Sequence, residues 1–249
     1  MTITLHRFAS SHYSEKARAC LDFKRLEYTV VERHPGADQL SIWRLSGQRK
    51  VPVLEHDGSV VHDSTAIALY LEHAFPAGEG RPALLPSDLT LRREVLELED
   101  HLDATLGRAV PVVAFDHAQR DPLVRDALLR LSVPGIGVTR AALKVAAVAA
   151  RPALWTPSAR ARVEGAYATV REALGACCDR LATRPFLTGD APTLADVTAV
   201  GLSFLLRYPR SAYLADPRLA GVGVPELVND PTLSRFFQWR DAFYARYLR

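Results

Sequence analysis

Ser10-Ser11-His12-Tyr13-Ser14-Glu15-Lys16-Ala17-Arg18 follows a short apolar run, Ile3 to Phe8, and leads into a segment with Ala17, Cys20 and Leu21 at helical spacing. A strand that passes through a serine-rich turn into a helix fixes the frame for the residues that follow. Tyr28-Thr29-Val30-Val31 is a second strand, rich in β-branched and aromatic side chains. Val53-Leu54-Glu55 and Ser59-Val60-Val61 flank His56-Asp57-Gly58, a strong local hairpin signal. Ser64 to Ala74 then repeats apolar side chains at Ile67, Tyr70, Leu71 and Ala74, the pattern of a helix lying on a sheet. The predicted order is strand, helix, strand, loop, hairpin, helix.

Beyond this point the alternation stops. Phe75 to Asp88 contains Pro76, Gly78, Gly80, Pro82 and Pro86 and carries no periodicity. The expected division is therefore an α/β unit over residues 1–77, a linker over 78–87 and an all-α unit over 88–249. Leu91, Val95, Leu98, Leu102 and Leu106 form one apolar stripe, and Val163, Tyr167, Val170, Leu174, Cys177 and Leu181 form another. Both read as helix-bundle core. Thr193-Leu194-Ala195-Asp196 opens the apolar run Val197 to Leu206 with a capping-box pattern, Asp standing in for Glu. Asp196 is expected to support folding rather than chemistry. Asn229-Asp230-Pro231 signals the start of a last helix through Phe236, Phe237, Phe243, Tyr244 and Tyr247.

Composition narrows the function classes. The chain has 249 residues, 48% of them hydrophobic, and a net charge of +3 from 31 basic residues scattered along it, which argues against a nucleic-acid footprint or a polybasic membrane anchor. The apolar stretch Leu131 to Ala150 is broken by Pro134, Gly135, Arg140 and Lys144, short of a bilayer span. The first residues run straight into a strand containing Thr4 and His6, without the order of a signal peptide, so the cytoplasm is the expected location. Cys20, Cys177 and Cys178 have neither metal-ligand nor redox-pair spacing and read as small buried side chains. No metal is expected.

Three short motifs carry the chemistry. Ser11, Ser10 and Ser14 sit at a helix start, where a hydroxyl either caps the helix or faces a ligand. Val51-Pro52 precedes a strand and admits a cis or a trans peptide bond. Asp63-Ser64 opens another helix, where free amides and the positive end of the dipole favour a carboxylate, or where either residue caps.

Taken together, Ser11-x-x-Ser14-x-Lys16-x-Arg18, Lys50-Val51-Pro52-Val53-Leu54, Asp63-Ser64-Thr65-Ala66-Ile67 and the string Pro185 to Val197 resemble, in order and spacing, the cytosolic glutathione transferases. The resemblance covers nearly the whole chain. It implies a thioredoxin-like first domain and an all-helical second, with glutathione as co-substrate and a small hydrophobic electrophile as its partner in a detoxifying conjugation. Glutathione-dependent peroxide or disulfide reduction, isomerisation, or binding without catalysis are the alternatives. It further implies that Ser11 faces the glutathione sulfur, that a cis bond between Val51 and Pro52 leaves the Val51 amide and carbonyl free to pair with the tripeptide backbone, and that Ser64 and Asp63 hold the γ-glutamyl end. Lys50 and Gln48 are placed to reach the glycine carboxylate. A homodimer is implied as well, with Asp100 or Asp103 of one subunit near the partner's γ-glutamyl amine. The sequence departs from the family pattern at His12, where a proline is usual, and has no first-strand tyrosine. Tyr13 is expected to point into the domain, and His12 is either a titrating group beside the thiol or a solvated loop residue.

Overall fold

The structure, a computed structural model, describes residues 2–78, 80–132, 156–211 and 213–248. Four strands, β1 (Ile3–Arg7), β2 (Thr29–Glu32), β3 (Val53–His56) and β4 (Ser59–His62), form one sheet in the order β2-β1-β3-β4. β2 runs parallel to β1 with Val30 opposite Leu5, whereas β3 is antiparallel with Leu54 opposite Leu5. The β3-β4 hairpin turns at Asp57 and Gly58, both at positive φ, as a two-residue turn matched to strand twist requires. Helices α1 (His12–Phe23) and α3 (Ser64–Ala74) pack on the sheet through Leu21, Ile67 and Leu71, all fully buried.

Two features of this half differ from the sequence reading. α1 starts at His12, a turn earlier than the apolar spacing suggests, because Ser11 caps it and accepts the Ser14 N–H at 3.2 Å. A helix, α2 (Gln39–Ser46), stands where a loop was expected. It buries only Ile42, so its periodicity is one residue deep, and Gly47 ends it at positive φ.

The second half contains α4 (Leu89–Arg120), α5 (Pro122–Ser132), α6 (Pro157–Leu181), α7 (Leu194–Leu202), α8 (Pro225–Val228) and α9 (Ser234–Tyr247). Residues 133–155, which include most of the apolar stretch from Leu131 and part of the long segment between Val110 and Trp155, lie outside the described residues. The rest of that segment is helix on both sides of Asp121, with Val110 and Val113 fully buried in the bundle. Asn229-Asp230-Pro231 opens a single 3₁₀ turn, Pro231–Leu233, and α9 follows it at Ser234. The run Val197 to Leu206 likewise divides into the end of α7 and a 3₁₀ turn over Phe204–Leu206.

α4 runs through Pro111, which has no N–H to give to the carbonyl of Gly107 four residues back. That carbonyl accepts instead from His12 Nε2 at 2.9 Å, so the proline's defect becomes the attachment point of α1. A Cβ at 107 would lie 2.5 Å from the Tyr13 hydroxyl, so any other residue there would have to displace the tyrosine.

The halves share a core. Ile3, Leu5, Leu54 and Leu71 of the first half cluster with Leu194, Val197 and Val200 of α7 and Phe243 of α9. α7 crosses α1 so closely that a Cβ on Gly201 would sit 2.5 Å from Lys16 Cα. Asp196 accepts the N–H of Thr193 and of Leu187, each at 2.8 Å, and the Thr193 hydroxyl at 3.0 Å. Burial pushes its carboxyl up to about 6 against these donors.

Candidate active site

A groove runs along the edge of the first half where the start of α1, the loop before β3 and the start of α3 converge. Its inner part is lined by Tyr13, Gln48, Lys50, Val51, Pro52, Asp63, Ser64 and Asp103. An adjoining part shares Lys50 and Val51 and adds Phe8, Ser11, Arg33, His34, Gln39 and Arg49. The seven residues read from sequence as catalytic or ligand-binding, Ser11, Gln48, Lys50, Val51, Pro52, Asp63 and Ser64, therefore meet at one surface.

The Val51-Pro52 bond is cis. Asp63 caps α3: its Oδ1 accepts the N–H of Thr65 at 2.9 Å and of Ala66 at 3.0 Å. It does so at φ 74, ψ 133, a backbone region that costs a non-glycine residue on the order of 1–3 kcal/mol. Capping by itself does not call for that conformation, and a strained residue at a groove points to a ligand role alongside the cap. Ser64 begins α3 and is almost fully buried at the groove floor. Gln48 donates its amide N–H to the Lys50 carbonyl at 2.8 Å, so part of its hydrogen-bonding capacity shapes the loop instead of facing a ligand.

The five candidates around the turn separate clearly. Ser14 is buried, and its Oγ accepts the Phe8 N–H at 3.3 Å. Ser10 Oγ is shielded from solvent with no hydrogen-bond partner among the described residues. Ser11 and Tyr13 line the groove. Tyr13 does not point into the domain: it lies in the first turn of α1, half-buried, facing α4 at Gly107. Burial and Asp103 raise its phenol, which stays protonated. His12 is not a solvated loop residue but is buried in α1, and desolvation lowers its imidazole to about 4.

Sequence reasoning missed the charged floor. Lys16 is fully buried and donates to Thr65 Oγ1 at 2.8 Å, to Asp103 Oδ1 at 3.0 Å and to Glu99. Asp103 also lines the groove of its own chain. On the other side of α1, Arg18 binds Glu15 and Asp22, and Tyr213 and Tyr244 donate to Glu15. The acid-base-acid spacing of Glu15, Arg18 and Asp22 was the visible signal. The burial of these charges depends on partners far along the chain. Cys20 and Cys177 are buried with their thiols pushed up to about 12, and no cysteine lines the groove. Among the described residues no cluster of His, Cys, Asp and Glu is placed to hold a metal ion. No helix there is long and apolar enough to cross a membrane.

Comparison with known proteins gives the same picture. Residues 5–82 match the family model of the glutathione S-transferase N-terminal domain. The Probable glutathione S-transferase GSTU6 of Oryza sativa subsp. japonica is 38% identical over 82 residues, 32% of this chain and 34% of that one. Protein LigF of a Sphingobium species is 39% identical over 98 residues, 38% and 37% of the two chains. The Probable maleylacetoacetate isomerase 1 of Drosophila melanogaster is 29% identical over 125 residues, 47% and 48% of the two chains. These alignments span about a third to a half of the curated relatives.

Solved structures match at full length. The Sphingobium beta-etherase LigF superposes with a TM-score of 0.69 over 99% of this chain and 96% of its own, at 24% identity. A glutathione S-transferase from Rhodospirillum rubrum superposes at 0.64 over 98% and 89%, at 25% identity. A Pseudomonas fluorescens family member with two glutathione bound superposes at 0.66 over 98% and 89%, at 16% identity. The N-terminal domain of the glutathione S-transferases is thus matched in sequence over residues 5–82, and the two-part architecture of their solved members is repeated over the whole length of this chain.

Proposed function

We propose that the protein binds glutathione in this groove and delivers its thiolate from Ser11 to an electrophilic carbon of a small hydrophobic substrate. The observation that carries the reading is the state of the Ser11 hydroxyl. It lines the groove and already accepts from the Ser14 N–H, so its own proton is free to be donated outward. A free thiol with a pKa of about 8.5 is only about 3% thiolate at neutral pH, and a fall of two units makes it about three-quarters thiolate. A donated hydroxyl bond next to the positive end of α1 supplies stabilisation of that kind. Ser64 and the amides at the start of α3 would take the γ-carboxylate, Asp63 and Asp103 the ammonium, and Val51 the peptide backbone.

The step forms a sulfur–carbon bond while the leaving group departs with its electron pair, or while an activated double bond accepts it. Displacement, ether cleavage and isomerisation through a reversible adduct all begin with this attack. The names of the relatives include an etherase and an isomerase, in keeping with a shared first step. Disulfide exchange through a protein thiol fits poorly, because Ser11 cannot form a mixed disulfide and the three cysteines are buried. Calorimetry with glutathione tests binding, and a panel of aryl halides, aryl ethers, activated alkenes, peroxides and small disulfides tests the chemistry. Absence of binding at millimolar glutathione would remove the proposal; turnover confined to peroxides or disulfides would replace its chemistry.

A further inference from the structure

The part of the groove beside Ser11 is strongly basic for its size. Arg33, Arg49 and Lys50 line it, and no acidic side chain forms an ion pair with any of them among the described residues. The one carboxylate on the same wall, Asp38, accepts the His34 N–H at 2.7 Å. Arg49 and Lys50 are exposed and held by no side chain among the described residues, but Arg33 is built in. Its Nε and Nη2 lie 3.1 and 2.9 Å from His6 Nδ1. His6 is buried in β1, and its Nε2 lies 2.5 Å from Glu55 Oε1 on β3. Two guanidinium donors on Nδ1 require that nitrogen to accept, which places the ring proton on Nε2 facing Glu55. Glu55 on β3, His6 on β1 and Arg33 just beyond the end of β2 therefore form a fixed chain across the sheet. It uses two of the five guanidinium N–H groups, leaving three for the cleft.

A cation held by a buried imidazole, not neutralised by a carboxylate, at the rim of a cleft that also offers Phe8 and Ile42, matches an anionic group on a largely apolar ligand. We propose that Arg33 is a carboxylate-recognising residue of the Ser11 cleft, held in place by His6 and Glu55. The inference extends the glutathione reading and rests on it for one of two sources of the carboxylate. That group belongs either to the glycyl end of the tripeptide or to an acidic electrophile seated against Ser11.

The test compares the parent with Arg33→Gln and Arg33→Lys, each first checked for an unchanged melting profile. The probes are glutathione, glutathione with its glycine carboxylate converted to an amide, benzoate alone, and a neutral aryl halide paired with its carboxylate-bearing counterpart. Arg33→Gln should weaken glutathione but not its amide if the tripeptide is the source. It should instead lower kcat/KM for the acidic halide but not the neutral one if the second substrate is the source. Either loss is expected at about 10- to 100-fold, as for one charge-assisted contact, with Arg33→Lys intermediate because it keeps the charge and loses the fork. Equal changes for charged and neutral ligands, or none, would overturn the assignment. If the parent binds no glutathione, the functional reading fails while the benzoate arm still decides the inference. Binding to the parent and not to Arg33→Gln supports it, and binding to neither or to both overturns it.

Discussion

Ser11 serves two masters, its helix and the groove, and the predicted phenotype of its removal follows from that division. Its oxygen caps α1 while its proton is free, so Ser11→Ala should cost about 1 kcal/mol of stability through the lost cap. The larger effect should be on chemistry. The bound thiol should titrate at higher pH and turnover at neutral pH should fall by roughly 10- to 1,000-fold, the range for losing one anion-stabilising donor. Glutathione affinity should hardly change, since the other contacts proposed for the tripeptide lie at Val51, Asp63 and Ser64. Ser64→Ala should show the reverse, with weakened binding as its main defect. Thiolate absorbance of each complex, titrated against pH, separates the two. An unchanged thiol pKa in Ser11→Ala would transfer the role to Tyr13, the other hydroxyl at the start of α1 that lines the groove.

Among the elements, α4 and α7 carry the clearest consequences. Alanine is the better helix former by about 1 kcal/mol, yet Gly107→Ala should lower the melting temperature, because its Cβ would meet the Tyr13 ring and hydroxyl. In a Tyr13→Phe background, with the nearest atom gone, the penalty should shrink; an equal penalty in both backgrounds would mean the strain lies elsewhere. Asp196→Ala should cost about 1 to 3 kcal/mol, since it frees the start of α7 and the Leu187 amide together. Activity per folded molecule should persist, and a stable but inactive variant would show that Asp196 had been misplaced. The same elements show what a sequence can disclose. The Asp57-Gly58 hairpin and the Thr193 to Asp196 cap were legible because each is decided within four residues. The continuation of α4 through Pro111 was not, because it depends on His12 taking the Gly107 carbonyl from 95 positions away. Nor was the burial of Lys16, whose partners Glu99 and Asp103 lie 83 and 87 positions along the chain. The groove residues were legible as motifs, whereas Arg33 was not, since its place is set by His6 on a neighbouring strand.

For the whole molecule, two buried groups pull the pH dependence of stability in opposite directions. His12 falls to about 4 from an ordinary 6.5, so the fold prefers it neutral; its contribution is complete above pH 6.5 and drains as pH falls toward 4. Asp196 rises to about 6 from 3.8, so the fold prefers it protonated; its contribution is complete below pH 3.8 and is lost as pH rises through 6. His12→Gln should therefore reduce the acid-side loss between pH 6.5 and 4, by on the order of 3 kcal/mol, with little change above pH 7. Denaturant midpoints across that range are the measure, and an unchanged profile would show that His12 is not the acid-sensitive group. The last prediction concerns assembly. We propose a two-fold homodimer through α3 and the first part of α4, where Leu69 and Leu89 stand 40% and 79% exposed on the two elements expected to pair. Leu69→Glu with Leu89→Glu should convert a sedimenting dimer into a monomer, and a parent that sediments as monomer at micromolar concentration would end the idea. Because Asp103 lines the groove of its own chain, we expect glutathione binding not to require a partner. The monomeric variant should then bind glutathione as the parent does, whereas loss of binding on dissociation would return a partner residue to the site.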